Sequence, residues 1–159
     1  KTMIKLCSNF VNGFNTVLPW SASLIFSPEE FITLLSGSGN KITEKELIEN
    51  VEVGTGYEKN SPQIIQLFET ITEFNDKERS LFVKFITGTN RLPVGGLASL
   101  QPKLTVAMRS TNGKSPDDAL PTVSTCFNYF KLPKYSSKEI LATKLRVAIN
   151  ECQGTFDYT

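Results

Sequence analysis

A chain of 159 residues can bury one respectable hydrophobic core, and its apolar, aromatic and charged fractions are those of an ordinary globular protein. Lys plus Arg number 17 against 16 Asp plus Glu, so neither nucleic acid nor an anionic membrane is indicated as a partner, and no apolar run reaches the length of a membrane span. The absence of histidine removes a Cys–His dyad within this chain and most zinc sites.

The cysteines, Cys7, Cys126 and Cys152, are odd in number and far apart. They form neither a disulfide framework nor a zinc ribbon, so no metal and no cofactor is expected, and a reducing compartment (cytosol or nucleus) is. The opening at Lys1 does not read as a signal peptide, and the chain reads as part of something longer.

Residues 1–17 carry Ile4, Leu6, Cys7, Phe10, Val11 and Phe14 at helical spacing, with Gly13 weakening the end. Trp20 to Phe26 is an apolar connection. Ser27-Pro28-Glu29-Glu30 combines a serine cap, a first-turn proline and a capping-box glutamate, predicting a helix over 28–35. Ser36 to Asn40 is the clearest linker: two glycines among small polar residues form either a flexible joint or an ordinary helix-ending loop.

A short helix is expected over 44–49, then a turn at Gly54–Tyr57. Ser61-Pro62 starts a helix whose stripe is Ile64, Leu67, Phe68, Ile71 and Phe74. Asn75 and Glu78 form a capping box for the next helix, which Thr87-Gly88 ends. The stretch from Arg91 to Leu97 is a loop in which Gly95-Gly96 permits unusual backbone angles. Leu104 to Arg109 alternates like a strand, and 110–118 is a polar loop. Ser136-Ser137-Lys138-Glu139 reads as a capping box opening a helix to about Cys152, with Leu141, Leu145, Ala148, Ile149 and Cys152 on one face. Cys152 and Cys7 are therefore both expected in the core.

Between these elements lies LPTVSTCFNYFKLPKYSS, residues 120–137. Pro121 forces Leu120 to be extended. Phe127 to Leu132 is rich in strand-favouring aromatics, and Pro133 closes the run. Cys126 thus sits where an irregular segment enters a strand. By position alone it is either a small core side chain or an exposed thiol. Thr125 is either a hydroxyl that orients the neighbouring thiol, or a strand-edge threonine, and Asn128 can hydrogen-bond local backbone to shape the loop.

Leu120-Pro121, Thr125-Cys126-Phe127-Asn128, Leu132-Pro133 and Tyr135-Ser136-Ser137 resemble the active-cysteine segment of HECT-type ubiquitin ligases. Upstream, Thr87-Gly88-Thr89 followed by 91–97 is similar to a second hallmark of that family, in the same order. The run from Pro102 to Thr105, with Asp117-Asp118 before Leu120, resembles most closely the ubiquitin-fusion-degradation branch.

The resemblance implies an α+β fold: a small sheet flanked by helices, preceded by helices from the end of an N-lobe. It divides the chain into an N-lobe remnant at 1–36, a hinge at 37–40 and a catalytic C-lobe at 41–159. It implies that Cys126 accepts ubiquitin as a thioester from a charged conjugating enzyme (E2), recruited through the missing N-lobe, and passes it to a lysine of a protein substrate. Exchange of one thioester for another is nearly balanced and needs a thiolate, access and orientation more than a strong base, so the lack of histidine is compatible with it. Free cysteine, with a pKa of ~8.5, is already a few per cent thiolate at neutral pH. Many members place a histidine before the Thr-Cys pair, where this chain has Ser124. Phe156, fourth from the end, matches a family phenylalanine whose anchoring helps transfer to lysine, and Asp157 beside it could help deprotonate that lysine. The alternative is a non-catalytic lobe that binds ubiquitin or a partner without turnover.

Overall fold

The computed structural model describes the backbone of residues 2–36 and 41–156 and the side chains of 5–35 and 41–151. The chain divides into two compact units, Lys1–Ser36 and Gly37–Thr159. The anticipated hinge at 37–40 lies outside the described residues.

The first unit is helical: α1 (Thr2–Val17), a single turn α2 (Trp20–Ser23) and α3 (Pro28–Ser36). The capping box at the start of α3 forms as its sequence dictates. The Ser27 N–H donates to the Glu30 carboxylate at 2.8 Å, and the Glu30 N–H to the Ser27 hydroxyl at 3.2 Å. Phe14 is stacked on Phe10 and meets Phe31 edge-on, with centroids 6.1 and 6.0 Å apart. α1 runs unbroken through Gly13. Cys7, expected in the core, is exposed instead. The helical period of α1 is satisfied, yet Leu6 and Phe10 on that helix are also largely exposed.

The second unit begins with α4 (Glu44–Asn50), whose Thr43 and Glu46 form a further capping box. A two-residue strand β1 (Glu52–Val53) follows, then α5 (Pro62–Thr72) and α6 (Asp76–Thr87). Asn75 and Glu78 cap α6 reciprocally, at 2.9 and 3.0 Å, and Gly88 ends it in the left-handed conformation, φ 78°. The remaining elements are β2 (Thr105–Met108), β3 (Thr122–Ser124), β4 (Tyr129–Leu132) and α7 (Lys138–Phe156).

The sheet order is β1-β2-β4-β3, with β1 and β4 parallel to β2 and β3 antiparallel to β4. Val106 and Val123 both pair with Phe130, which is 1 % exposed and meets Phe82 and Phe85 of α6 edge-on. The expected α+β architecture, a small sheet with helices packed on it, is what forms. α7 closes the core with Leu141, Leu145, Ala148 and Ile149 buried, as their spacing requires.

Three local expectations change. The strand expected from Phe127 starts at Tyr129, because Asn128 is left-handed at φ 46°, ψ 41°. Ser137, not Ser136, caps α7: its hydroxyl accepts the Ile140 N–H at 3.3 Å, while Ser136 is drawn away to Asp117. Finally, α7 continues past Cys152 to Phe156, and the Cys152 side chain lies outside those described. Among the described residues no helix is long and apolar enough to cross a membrane, and no three His, Cys, Asp or Glu gather where they could hold a metal.

Candidate active site

β3 and β4 are antiparallel, with Ser124 paired to Tyr129, so the four residues between them must reverse the chain. Thr125–Phe127 do so as one 3-10 turn, and Asn128 completes it in the left-handed region that asparagine tolerates better than most residues. The Asn128 N–H returns to the Thr125 carbonyl at 3.3 Å. Cys126 is at the middle of this turn and exposed. Of the two readings its position left open, the structure takes the second: the thiol faces solvent. Phe127 beside it is 65 % exposed, so the turn presents a thiol and an aromatic ring together.

The turn is anchored on its downstream side by Asn128, which is 7 % exposed. Its side-chain amide donates to the Pro102 carbonyl at 2.6 Å, and its own carbonyl accepts the Thr105 N–H at 2.9 Å. The expected bond to local backbone is thus a long-range one, tying the cysteine turn to the segment that enters β2. Thr125 is half-buried, and its hydroxyl is not spent on any hydrogen bond among the described residues. It lies in the turn rather than at a strand edge.

The second hallmark segment is brought to the first. A Cβ built on Gly88, at the end of α6, would sit 4.0 Å from the Cβ of Thr125. Thr87 and Thr89 lock that corner: the Thr87 hydroxyl donates to Val83 at 2.7 Å, the Thr89 N–H donates back to it at 3.2 Å, and the Thr89 hydroxyl donates to Arg91 at 3.0 Å. Gly95, with φ 97°, could not be replaced without strain, since a Cβ there would overlap the Ser99 hydroxyl. Neither the contact at Gly88 nor the Pro102 acceptor was legible in the sequence, because both join segments 26 or more residues apart. Phe156 falls in the last turn of α7, its side chain outside those described, and Asp157 lies outside the described residues.

The amino-acid sequence matches the HECT-domain (ubiquitin-transferase) family over residues 1–159. It is 43 % identical over 147 residues to the E3 ubiquitin-protein ligase UPL4 of Arabidopsis thaliana, covering 92 % of this chain and 10 % of that protein. Identity to the E3 ubiquitin-protein ligase TRIP12 of Danio rerio is 40 % over 156 residues, 97 % of this chain and 8 % of the relative. With Ubiquitin fusion degradation protein 4 of Saccharomyces cerevisiae it is 37 % over 157 residues, 98 % of this chain and 11 % of the relative. The chain therefore spans about a tenth of the length of these relatives. Since the family match runs from the first residue to the last and takes in both hallmark segments that meet at the cysteine turn, the chain belongs to the HECT-domain family, with relatives in its ubiquitin-fusion-degradation branch.

Proposed function

We propose that this chain carries the catalytic lobe of a HECT-type E3 ubiquitin ligase, with Cys126 as the ubiquitin acceptor. The observation that carries the reading is the exposed Cys126 thiol on a reverse turn fixed by Asn128. The Cys126 sulfur attacks the C-terminal carbonyl of ubiquitin on a charged conjugating enzyme. One carbon–sulfur bond forms, one breaks, and the conjugating enzyme departs as a thiol. A substrate lysine amine then attacks the new thioester, an isopeptide bond forms, the amine loses its proton, and Cys126 leaves as a thiol. The first exchange asks for access and orientation, which an anchored, exposed turn supplies.

Thr125 stands beside the thiol with its hydroxyl available to a thioester oxygen. Phe156 and Asp157 act in the second step, arranging the lysine. Residues 1–36 are the end of an N-lobe, 37–40 a hinge and 41–159 the C-lobe. The division into compact units between Ser36 and Gly37 supports this arrangement. So does the apolar surface of the first unit, where Leu6, Phe10, Val17, Leu24 and Ile25 are each more than 60 % exposed. The charged enzyme is recruited through that N-lobe, and the work is done in cytosol or nucleus. In a gel assay with charged conjugating enzyme, Cys126→Ala abolishes the reducible ubiquitin adduct while Cys7→Ala and Cys152→Ala keep it. An adduct on the Cys126→Ala protein would end the assignment.

A further inference from the structure

Upstream of the cysteine turn, residues 111–120 include no buried residue, and an open cleft of about 820 Å³ runs along 118–122. Apolar burial alone therefore does not hold 111–120, although Pro121 at the entry to β3 is buried. Polar ties do, one to each of four successive residues. The Asp117 carboxylate accepts both the N–H and the hydroxyl of Ser136, at 2.9 and 2.7 Å. The Asp118 carbonyl accepts from Lys144 at 3.5 Å, and the Ala119 carbonyl from the Tyr135 hydroxyl at 2.7 Å. The Leu120 carbonyl accepts from the Arg109 guanidinium. Such carbonyls have no strand partner of their own, so side chains satisfy them.

The Tyr135 tie connects the segment to the hydrophobic core. Tyr135 is 1 % exposed, its ring within the core and only its hydroxyl reaching out. Burial pushes that phenol upward, so it remains a donor across the physiological range. The Ser136 bonds hold the Asp117 carboxyl below the usual carboxylate range, so it remains an ionised acceptor. Asp117 also accounts for why Ser136 is not the cap of α7.

We propose that Asp117 and Tyr135, with Ser136 and Arg109, are positioning residues that clasp 117–120 and thereby fix the direction from which β3 delivers Cys126. The inference rests on the reading of Cys126 as acceptor and extends it. Cys126 is held from both sides: by Asn128 after the turn, and by the clasp six to nine residues before it. Loosening the clasp leaves the thiol and the docking surface for the charged enzyme intact, and widens the range of positions the thiol occupies.

The test uses the full-length protein and two variants that keep the packing: Tyr135→Phe, which removes only the hydroxyl, and Ser136→Ala, with Ser136→Thr as its conservative counterpart. Hydrogen exchange of the 117–127 amides, independent of any ubiquitin chemistry, is expected to rise about tenfold in Tyr135→Phe. Single-turnover loading at saturating charged enzyme is expected to fall by about three- to tenfold in Tyr135→Phe and Ser136→Ala, at an unchanged half-saturating concentration, and to recover in Ser136→Thr. Unchanged exchange, or unchanged loading by Tyr135→Phe when Cys126→Ala forms no adduct, overturns the clasp alone. An adduct on Cys126→Ala overturns the clasp together with the acceptor assignment beneath it.

Discussion

The side-chain amide of Asn128 donates across 2.6 Å to the carbonyl of Pro102, 26 residues earlier, and this bond holds a left-handed residue immediately after the candidate acceptor's turn. Two demands meet at one position: a backbone that accepts positive φ, and a donor that reaches the Pro102 carbonyl across the chain. Glycine meets the first and alanine neither. Asn128→Gly should cost about 0.5–1.5 kcal/mol for the lost bond, and Asn128→Ala about 1–2 kcal/mol more for the left-handed backbone. Urea unfolding of the three proteins measures both, and equal losses for the two variants would contradict the backbone part.

Phe130 and Phe127 are three residues apart and should behave oppositely. Phe130→Ala empties the space between Phe82, Phe85 and the sheet, and should cost about 3–5 kcal/mol. Phe127→Ala removes an exposed ring and should change stability by less than about 0.5 kcal/mol. Chemical denaturation curves compare them directly.

Much of this fold could be read from local chemistry. The capping boxes at Ser27–Glu30 and Asn75–Glu78, the Pro62 start of α5 and the buried stripe of α7 are all decided within a few residues. What could not be read was decided by distant partners. β1 is two residues long and exists because β2, about 50 residues later, pairs with it. β3 looked irregular because Thr122 and Ser124 are polar and Pro121 precedes them, yet pairing with β4 makes it a strand. Ser136 and Ser137 are equivalent as caps until Asp117, 19 residues back, claims the first. At the site, Cys126 stood out at the entry to a strand and Asn128 as a residue that shapes the loop, while the 3-10 turn between them and the Pro102 and Gly88 contacts of Asn128 and Thr125 did not.

Glu78 predicts an acid limb. Its carboxyl lies below the usual value of 4.5, first through the Asn75 N–H and then through Arg146, whose guanidinium is 2.8 Å away on α7. A lowered folded pKa means the contribution is present above the ordinary carboxylate value and is lost as pH falls through the folded one. Glu78→Gln keeps an acceptor for the cap but no charge, so the difference in urea midpoint between pH 7 and pH 3 should shrink relative to the parent. An unchanged difference would remove Glu78 from the acid response.

Phe156 separates the two chemical steps. If its ring helps arrange the lysine, Phe156→Ala should leave loading of Cys126 near the parent rate and slow discharge to lysine. Loss of one aromatic anchor forfeits about 1.5–3 kcal/mol of burial, a factor of roughly ten or more in rate. A pulse of loading followed by a chase with free lysine reads both, and parallel slowing of both with a lowered melting temperature would make Phe156 a core residue instead.

The central claim is that ubiquitin is carried on Cys126 as a thioester. Its most direct measurement is intact mass of the full-length protein after brief exposure to charged conjugating enzyme, followed by peptide mapping of the adduct. The account predicts a gain of one ubiquitin less one water, located on the peptide containing Cys126 and removed by a thiol reductant. A thiol-resistant adduct, or one mapped to any other residue, would contradict it.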